Sequence, residues 1–151
     1  MPTLTAEVTG NYDQQHDANG LLYAPLETPA TYRRTRVYVL DYEGSEDDAR
    51  AFVRRTLLDE VAEEVHFGGE PALANSAFYL DVSMRPGALD LEKEAILASH
   101  RGARNKAIEI TTLKLTQRTY IFSDADPKPD RFVRDVCNPA VHTWSVTDSA
   151  A

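Results

Sequence analysis

An internal repeat constrains the fold of this chain more than any single element. The segment TRVYVLDYEGSEDDARAFVRRTLLDEVAEEVHF (35–67) aligns with QRTYIFSDADPKPDRFVRDVCNPAVHTWSV (117–146), and the triplet Phe-Val-Arg at 52–54 falls on the same triplet at 132–134. Small indels add four further pairs, which are Arg36 on Arg118, Tyr38 on Tyr120, Asp59 on Asn138 and Glu60 on Pro139. Self-similarity of this kind indicates one structural unit used twice.

The first copy predicts a strand, a helix and a second strand. Residues 35–42 are rich in β-branched and aromatic side chains, which favour a strand. Ser45 and Asp48 have the spacing of a capping box at a helix start. The positions that follow form one apolar helical stripe, made of Ala49, Phe52, Val53, Thr56 and Leu57. Residues 61–67 then alternate apolar and polar side chains before Gly68-Gly69, which predicts the second strand.

Residues 78–146 predict a β-α-β-β-α-β order, which is the ferredoxin-like arrangement. Residues 78–84 alternate as a half-buried strand does, and Asp90 is a suitable cap for a helix over 91–100. The remaining predicted elements are two strands within 108–122, where the apolar positions change phase, a helix that begins at Asp126-Pro127, and a last strand over 141–146.

The first 34 residues differ from the rest of the chain. Leu4, Ala6 and Val8 alternate with polar residues and predict one strand, whereas Pro25 and Pro29 favour a loop or extended chain. We therefore expect an α+β protein in three parts, which are an N-terminal arm (1–34), a βαβ half-repeat (35–70) and a βαββαβ unit (76–147), with 35–147 packing as one domain.

Composition excludes several classes of function. The chain has 151 residues and a formal net charge of −8, which argues against nucleic-acid binding because phosphate neutralisation needs a basic surface. No apolar run approaches the ~20 residues that span a bilayer, and MPTLTAEVTG lacks the features of a signal peptide. The single cysteine, Cys137, fits a reducing compartment. We expect a cytoplasmic protein that binds neither membranes nor nucleic acid.

No catalytic, cofactor-binding or metal-binding residues are predicted. Cys137 lies on an apolar helix face, where a thiol is usually inert core. The four histidines, at 16, 66, 100 and 142, have neither metal-ligand spacing nor a CxxC partner. The acidic run 124–130 has no loop glycine and no distal glutamate, so it does not match a calcium loop.

Charge is unevenly distributed along the chain. Residues 41–64 contain nine acids and three arginines, whereas 100–119 contain five Lys/Arg and one Glu, and opposed charges of this kind suit oriented subunit association. Within the basic segment, Arg101, Arg104 and Lys106 either complement a helix C-terminus or form a docking patch for an acidic surface or a phosphate. Trp144, near the end of the last strand, is a candidate for core packing, which we favour, or for an interface.

Four stretches of the sequence, within about 35–147, resemble a known family. One of them, LLDEVAEEVHF (57–67), is similar to the Leu-Leu-Asp-Pro-Val element of a preceding repeat in that family. VSMRPGALDLEKEAIL (82–97) is similar to the strand, Pro-Gly turn and helix that open PurS-like domains. AIEITTLKLTQRTYIF (107–122) resembles the strand pair of that family that ends in Arg-x-Tyr, here Arg118 and Tyr120. VCNPAVHTWSV (136–146) resembles its final Asn-Pro helix end and last strand. PurS-like domains are the small subunit, or the N-terminal domain, of phosphoribosylformylglycinamidine (FGAM) synthase.

The resemblance implies a structural role in de novo purine biosynthesis. It implies a non-catalytic subunit, without a cofactor of its own, that bridges the glutaminase and the ATP-dependent synthetase subunits of FGAM synthase. Unpaired sheet edges also leave homo-oligomerisation open. The alternative is a ferredoxin-like regulatory or small-anion-binding module unrelated to purines. The candidate interface residues are Arg101, Arg104, Lys106, Arg118, Tyr120 and Trp144.

Overall fold

The chain forms one antiparallel sheet with three helices in the computed structural model, which describes residues 2–12 and 14–148. The elements follow in the order β1 (Thr3–Gly10), β2 (His16–Asp17), a 3-10 turn (Ala18–Leu21), β3 (Thr31–Glu43), α1 (Glu46–Thr56), β4 (Glu63–Phe67), β5 (Phe78–Met84), α2 (Leu91–Gly102), β6 (Glu109–Phe122), α3 (Pro129–Val136) and β7 (His142–Asp148). The α+β class is therefore confirmed. Within the described residues, no helix is long and apolar enough to cross a membrane.

The sheet consists of two similar halves joined by its two longest strands. The strand order is β4-β1-β3-β6-β5-β7, with β2 paired to the beginning of β3. Each half contains three of these strands, and in each half a helix, α1 or α3, precedes the edge strand. The N-terminal strand that Leu4, Ala6 and Val8 predict is present as β1, and it lies between β4 and β3.

Matching hydrogen bonds at the start of both edge strands support the repeat. The Asp59 N–H donates to Glu63 Oε1 at 3.0 Å, and in the other half the Asn138 N–H donates to His142 Nδ1 at 3.0 Å. Phe52 on α1 and Phe132 on α3, which the alignment places at the same position, are both buried. The alignment of Asp59 on Asn138 therefore matches the structure.

The sequence alignment of Arg36 with Arg118 is wrong by one residue, because these two side chains point to opposite faces of the sheet. The register of β3 and β6 pairs Arg36 with Gln117 and Thr35 with Arg118. Because paired residues of antiparallel strands point to the same face, Arg118 shares a face with Thr35, and Arg36 points to the opposite face. A one-residue shift reverses the face of every side chain in a strand, so Tyr38 and Tyr120 also point to opposite faces.

All three helices pack on the sheet face that carries Tyr38, and the core forms two clusters there. One cluster joins α1 and α2 to the first half, and its buried members include Leu4, Val8, Tyr38, Leu40, Phe52 and Val53. The other joins α3 and the 3-10 turn to the second half, and it includes Ala18, Phe78, Leu80, Ile121, Phe132 and Cys137. Cys137 is thus a core residue, and burial raises the pKa of its thiol.

The two strands expected within 108–122 are a single strand, β6. A bulge explains the change of phase, because Asp41 pairs with Thr112 whereas the next residue, Tyr42, pairs with Ile110. The extra residue lets Ile110 and Leu113 point to the same face. The unit expected as β-α-β-β-α-β therefore has the order β-α-β-α-β in the structure.

Helix starts follow the predicted caps, with one displacement. Ser45 Oγ accepts from the Asp48 N–H and Asp90 Oδ1 accepts from the Lys93 N–H, each at 3.1 Å. Helix α3 begins at Pro129 rather than at Pro127. Either proline can occupy the first turn, because its missing N–H has no partner to lose there.

Candidate functional site

A buried carboxylate, Glu7, lies at the centre of the sheet face opposite the helices. It is 2% exposed, and its oxygens accept from four donors, which are Thr35 Oγ1 at 2.7 Å, Arg118 Nη1 at 2.9 Å, the Ala72 N–H at 3.1 Å and the Tyr120 hydroxyl at 2.5 Å. Ala72 belongs to the segment 68–77, which links β4 to β5. This connection therefore covers Glu7 on the face that the helices leave free.

Arg118 connects Glu7 to a second carboxylate, Asp81. Its Nε and Nη2 donate to the two oxygens of Asp81 at 2.7 and 3.0 Å, and its guanidinium lies 4.4 Å from the centre of the Tyr79 ring. Burial alone would lower the pKa of Arg118, but the paired hydrogen bonds to Asp81 raise it above its ordinary value. Burial, followed by the hydrogen bond to Glu7, raises the pKa of Tyr120.

The Glu7 network has the properties of a structural element. Its charged groups are paired and hydrogen-bonded within the chain, as buried charges must be. Arg118 and Tyr120 were predicted as interface residues, and the structure places both inside this network. The sequence pattern does not reveal Glu7 and Asp81, because their alternation with apolar neighbours predicts side chains that face solvent.

A second polar cluster lies on the helix face, between the two core clusters. Arg36 donates to both oxygens of Glu63, at 2.8 and 3.2 Å, and to the Tyr38 hydroxyl at 2.9 Å, which in turn donates to Glu92 at 3.1 Å. The hydrogen bond from Arg36 lowers the pKa of Glu63, and burial raises the pKa of Tyr38. A cavity of about 270 Å³ adjoins this cluster, and Gln117 and His142 also line it.

The two edges of the sheet differ in how well their apolar side chains are covered. On β7, Trp144 and Val146 point to the helix face and each remains 38% exposed. On β4, the corresponding edge of the first half, the ring of Phe67 lies under the guanidinium groups of Arg50 and Arg54, at 4.9 and 5.2 Å. Core packing for Trp144 is therefore wrong, and β7 is the more open edge.

The remaining predicted interface residues lie at the C-terminal end of α2. Arg101 is in its last turn, and Arg104 and Lys106 follow in an exposed loop. Arg104 and Lys106 line a cavity of about 170 Å³ between this loop and α1, whereas Arg101 does not. The structure therefore separates the interface candidates into two members of the Glu7 network, an edge-strand residue and a basic group at and after the end of α2.

The histidines have separate environments. His142 caps the turn before β7, His66 lies 3.2 Å from Glu64, and the ring of His16 packs against Tyr32. Among residues 2–12 and 14–148, the His, Cys, Asp and Glu side chains form no group of three or more with metal-binding geometry.

Comparisons of this chain with family models, with curated proteins and with solved structures find no match.

Proposed function

We propose that this chain is a non-catalytic structural subunit of cytoplasmic FGAM synthase, and that it bridges the glutaminase and the ATP-dependent synthetase subunits. The proposal starts from the resemblance of residues 82–97, 107–122 and 136–146 to PurS-like domains. We infer that residues 76–147 correspond to the PurS-like unit, and that the bulged strand β6 takes the place of the strand pair of that family.

The open β7 edge is the observation that best supports a docking role. Six of its seven residues are exposed, and in the described part of the chain its outer side pairs with no strand. Edge strands of monomeric proteins are usually protected by lysine, proline or a covering element, but His142–Asp148 contains neither lysine nor proline. Together with Trp144 and Val146, this edge offers backbone pairing and apolar contact to a partner.

Sedimentation velocity of the full chain, alone and mixed with the glutaminase and synthetase subunits, tests the proposal. We expect the chain to move with both subunits in one faster boundary. Three boundaries at the positions of the separate components would overturn the proposal. The run on the chain alone also determines whether it forms a homo-oligomer.

A matched pair of valine substitutions tests the docking edge. Val146→Glu places a charge on the exposed part of β7, and Val61→Glu places the same charge on an exposed loop before β4. We expect Val146→Glu to weaken the complex by about tenfold or more, because a buried unpaired charge opposes association, and Val61→Glu to leave it unchanged. Equal effects of the two substitutions would exclude β7 as the docking edge.

A further inference from the structure

We propose that the cavity between α1 and the loop after α2 binds the phosphate group of a small molecule. The cavity has a volume of about 170 Å³, and its lining includes Arg55 from α1 together with His100, Arg104 and Lys106 from the end of α2 and the loop that follows. This site does not depend on the proposed structural role, since it uses neither β7 nor the Glu7 network.

The charges around the cavity favour an anion. Three cations and one carboxylate, Asp48, line it, although the whole chain has a net charge of −8. In the described residues, the guanidinium groups of Arg55 and Arg104 have no hydrogen-bonded or ionic partner. A free guanidinium presents a planar fork of donors that matches the oxygens of a phosphate.

A buried histidine supplies an independent indication of a ligand. His100 is 8% exposed, and its Nε2 is buried without a hydrogen-bond partner among the described residues. The ring is held edge-to-face against Phe52, with the ring centres 5.4 Å apart. An unpaired buried nitrogen is unfavourable. His100 lines the cavity, so a small turn of its ring toward a bound phosphate would bring Nε2–H to an acceptor oxygen.

A favourable interaction of cations with the C-terminal end of α2 does not explain why Arg55, Arg104 and Lys106 line the cavity. Arg101 is the cation in the last helical turn, and it does not line the cavity. Arg55 comes from a different helix, and among residues 2–12 and 14–148 the one ionic contact of Lys106 is with Glu109, at 4.0 Å. The groups that converge on the cavity therefore come from two helices and a loop.

Titration of the full chain with inorganic phosphate, followed by amide NMR shifts and calorimetry, tests this site. We expect saturable shifts confined to residues 52–56 and 99–107. The double variant Arg55→Ala/Arg104→Ala should weaken binding about tenfold or more, because it removes two charged donors. Arg101→Ala, from the same basic segment, should change the affinity less than about twofold.

Further titrations identify the source of the anion. Tighter binding of adenosine monophosphate than of phosphate would assign a phosphate ester, and equal binding would assign free phosphate. The site is overturned by an absence of saturable shifts, by an equal loss of affinity in Arg101→Ala, or by tighter binding of succinate than of phosphate. The last result would indicate an acidic peptide side chain as the occupant.

Discussion

Glu7 shows how one buried carboxylate organises a sheet face. Its four donors come from β3, from β6 and from the 68–77 connection, so it joins three parts of the chain that are distant in sequence. Arg118 keeps a second partner, Asp81, which limits the damage when Glu7 is removed.

Glu7→Ala is expected to lower the free energy of unfolding by about 3 kcal/mol, because it removes the acceptor of Arg118 Nη1 and of the buried Tyr120 hydroxyl. Urea denaturation followed by circular dichroism measures the loss. Glu43→Gln, at the exposed end of β3, is the control and should change stability by less than about 0.5 kcal/mol. A loss below about 1 kcal/mol in Glu7→Ala would contradict the role of the network.

The Arg36–Glu63 pair predicts a pH dependence. The pKa of Glu63 is lowered from 4.5 in the folded chain, so its contribution to stability is present above about pH 4.5 and is lost as the pH falls through the lower folded value. Glu63→Gln should therefore cost about 1 kcal/mol at pH 7, since the pair is partly exposed, and less at pH 3.

Unfolding free energies at pH 7 and pH 3 measure the effect, with Glu60→Gln, an exposed acid of the same loop region, as the control. An equal loss at both pH values would show that the charge of Glu63 does not contribute.

At the scale of elements, the connection from β3 to α1 depends on one glycine. Gly44 has φ +135°, and a Cβ on it would lie 2.8 Å from Ile108 Cγ2 and 3.1 Å from the Ala107 carbonyl oxygen. The absence of a side chain at Gly44 therefore lets the chain before α1 approach the segment that enters β6.

Gly44→Ala should destabilise the fold by about 2 kcal/mol, because it combines backbone strain with a clash. Gly69→Ala is the matched control, since a Cβ there has no atom within 4 Å, and we expect a change within about 0.5 kcal/mol. Thermal unfolding of the two variants provides the comparison. Equal melting temperatures would mean that the Ile108 side chain moves away without cost.

Local sequence patterns predicted most of the helices and strands. The burial of charged strand residues such as Glu7 depends instead on contacts between distant parts of the chain. Ser45 and Asp90 marked the starts of α1 and α2, and residues 78–84 form β5 as expected. The phase change within β6 is a bulge, and a single sequence does not distinguish a bulge from a strand break. Burial of Glu7 also depends on the 68–77 connection, which has no periodic pattern of its own.

The candidate cavity and the candidate docking edge were predicted only in part, because both depend on how distant elements pack together. The sequence shows the basic segment as a cluster of like charges. Arg55 belongs to the acidic segment 41–64, and it lines the same cavity as Arg104 and Lys106 only because α1 packs beside α2. Trp144 and Val146 alternate as core residues do, and their exposure follows from the position of β7 at the edge of the sheet. Edge position is a property of the sheet order, which the local pattern does not encode.

At the scale of the whole molecule, the acidic and basic segments are neighbours rather than opposite poles. Residues 41–64 and 100–119 meet where Phe52 contacts His100, and the cavity lies between them. The two charged segments are therefore adjacent in the fold, and charged residues of both line this cavity. The β7 edge, which we propose as the docking surface, lies at the far end of the sheet from β4.

Glutamine-dependent FGAM formation by the glutaminase and synthetase subunits, with ATP and Mg²⁺, most directly tests whether this chain is their structural bridge. We predict that the full chain raises the glutamine-dependent rate well above that of the two subunits alone, that Val61→Glu supports the same rate, and that Val146→Glu does not. An equal rate with and without the chain would contradict the proposed function.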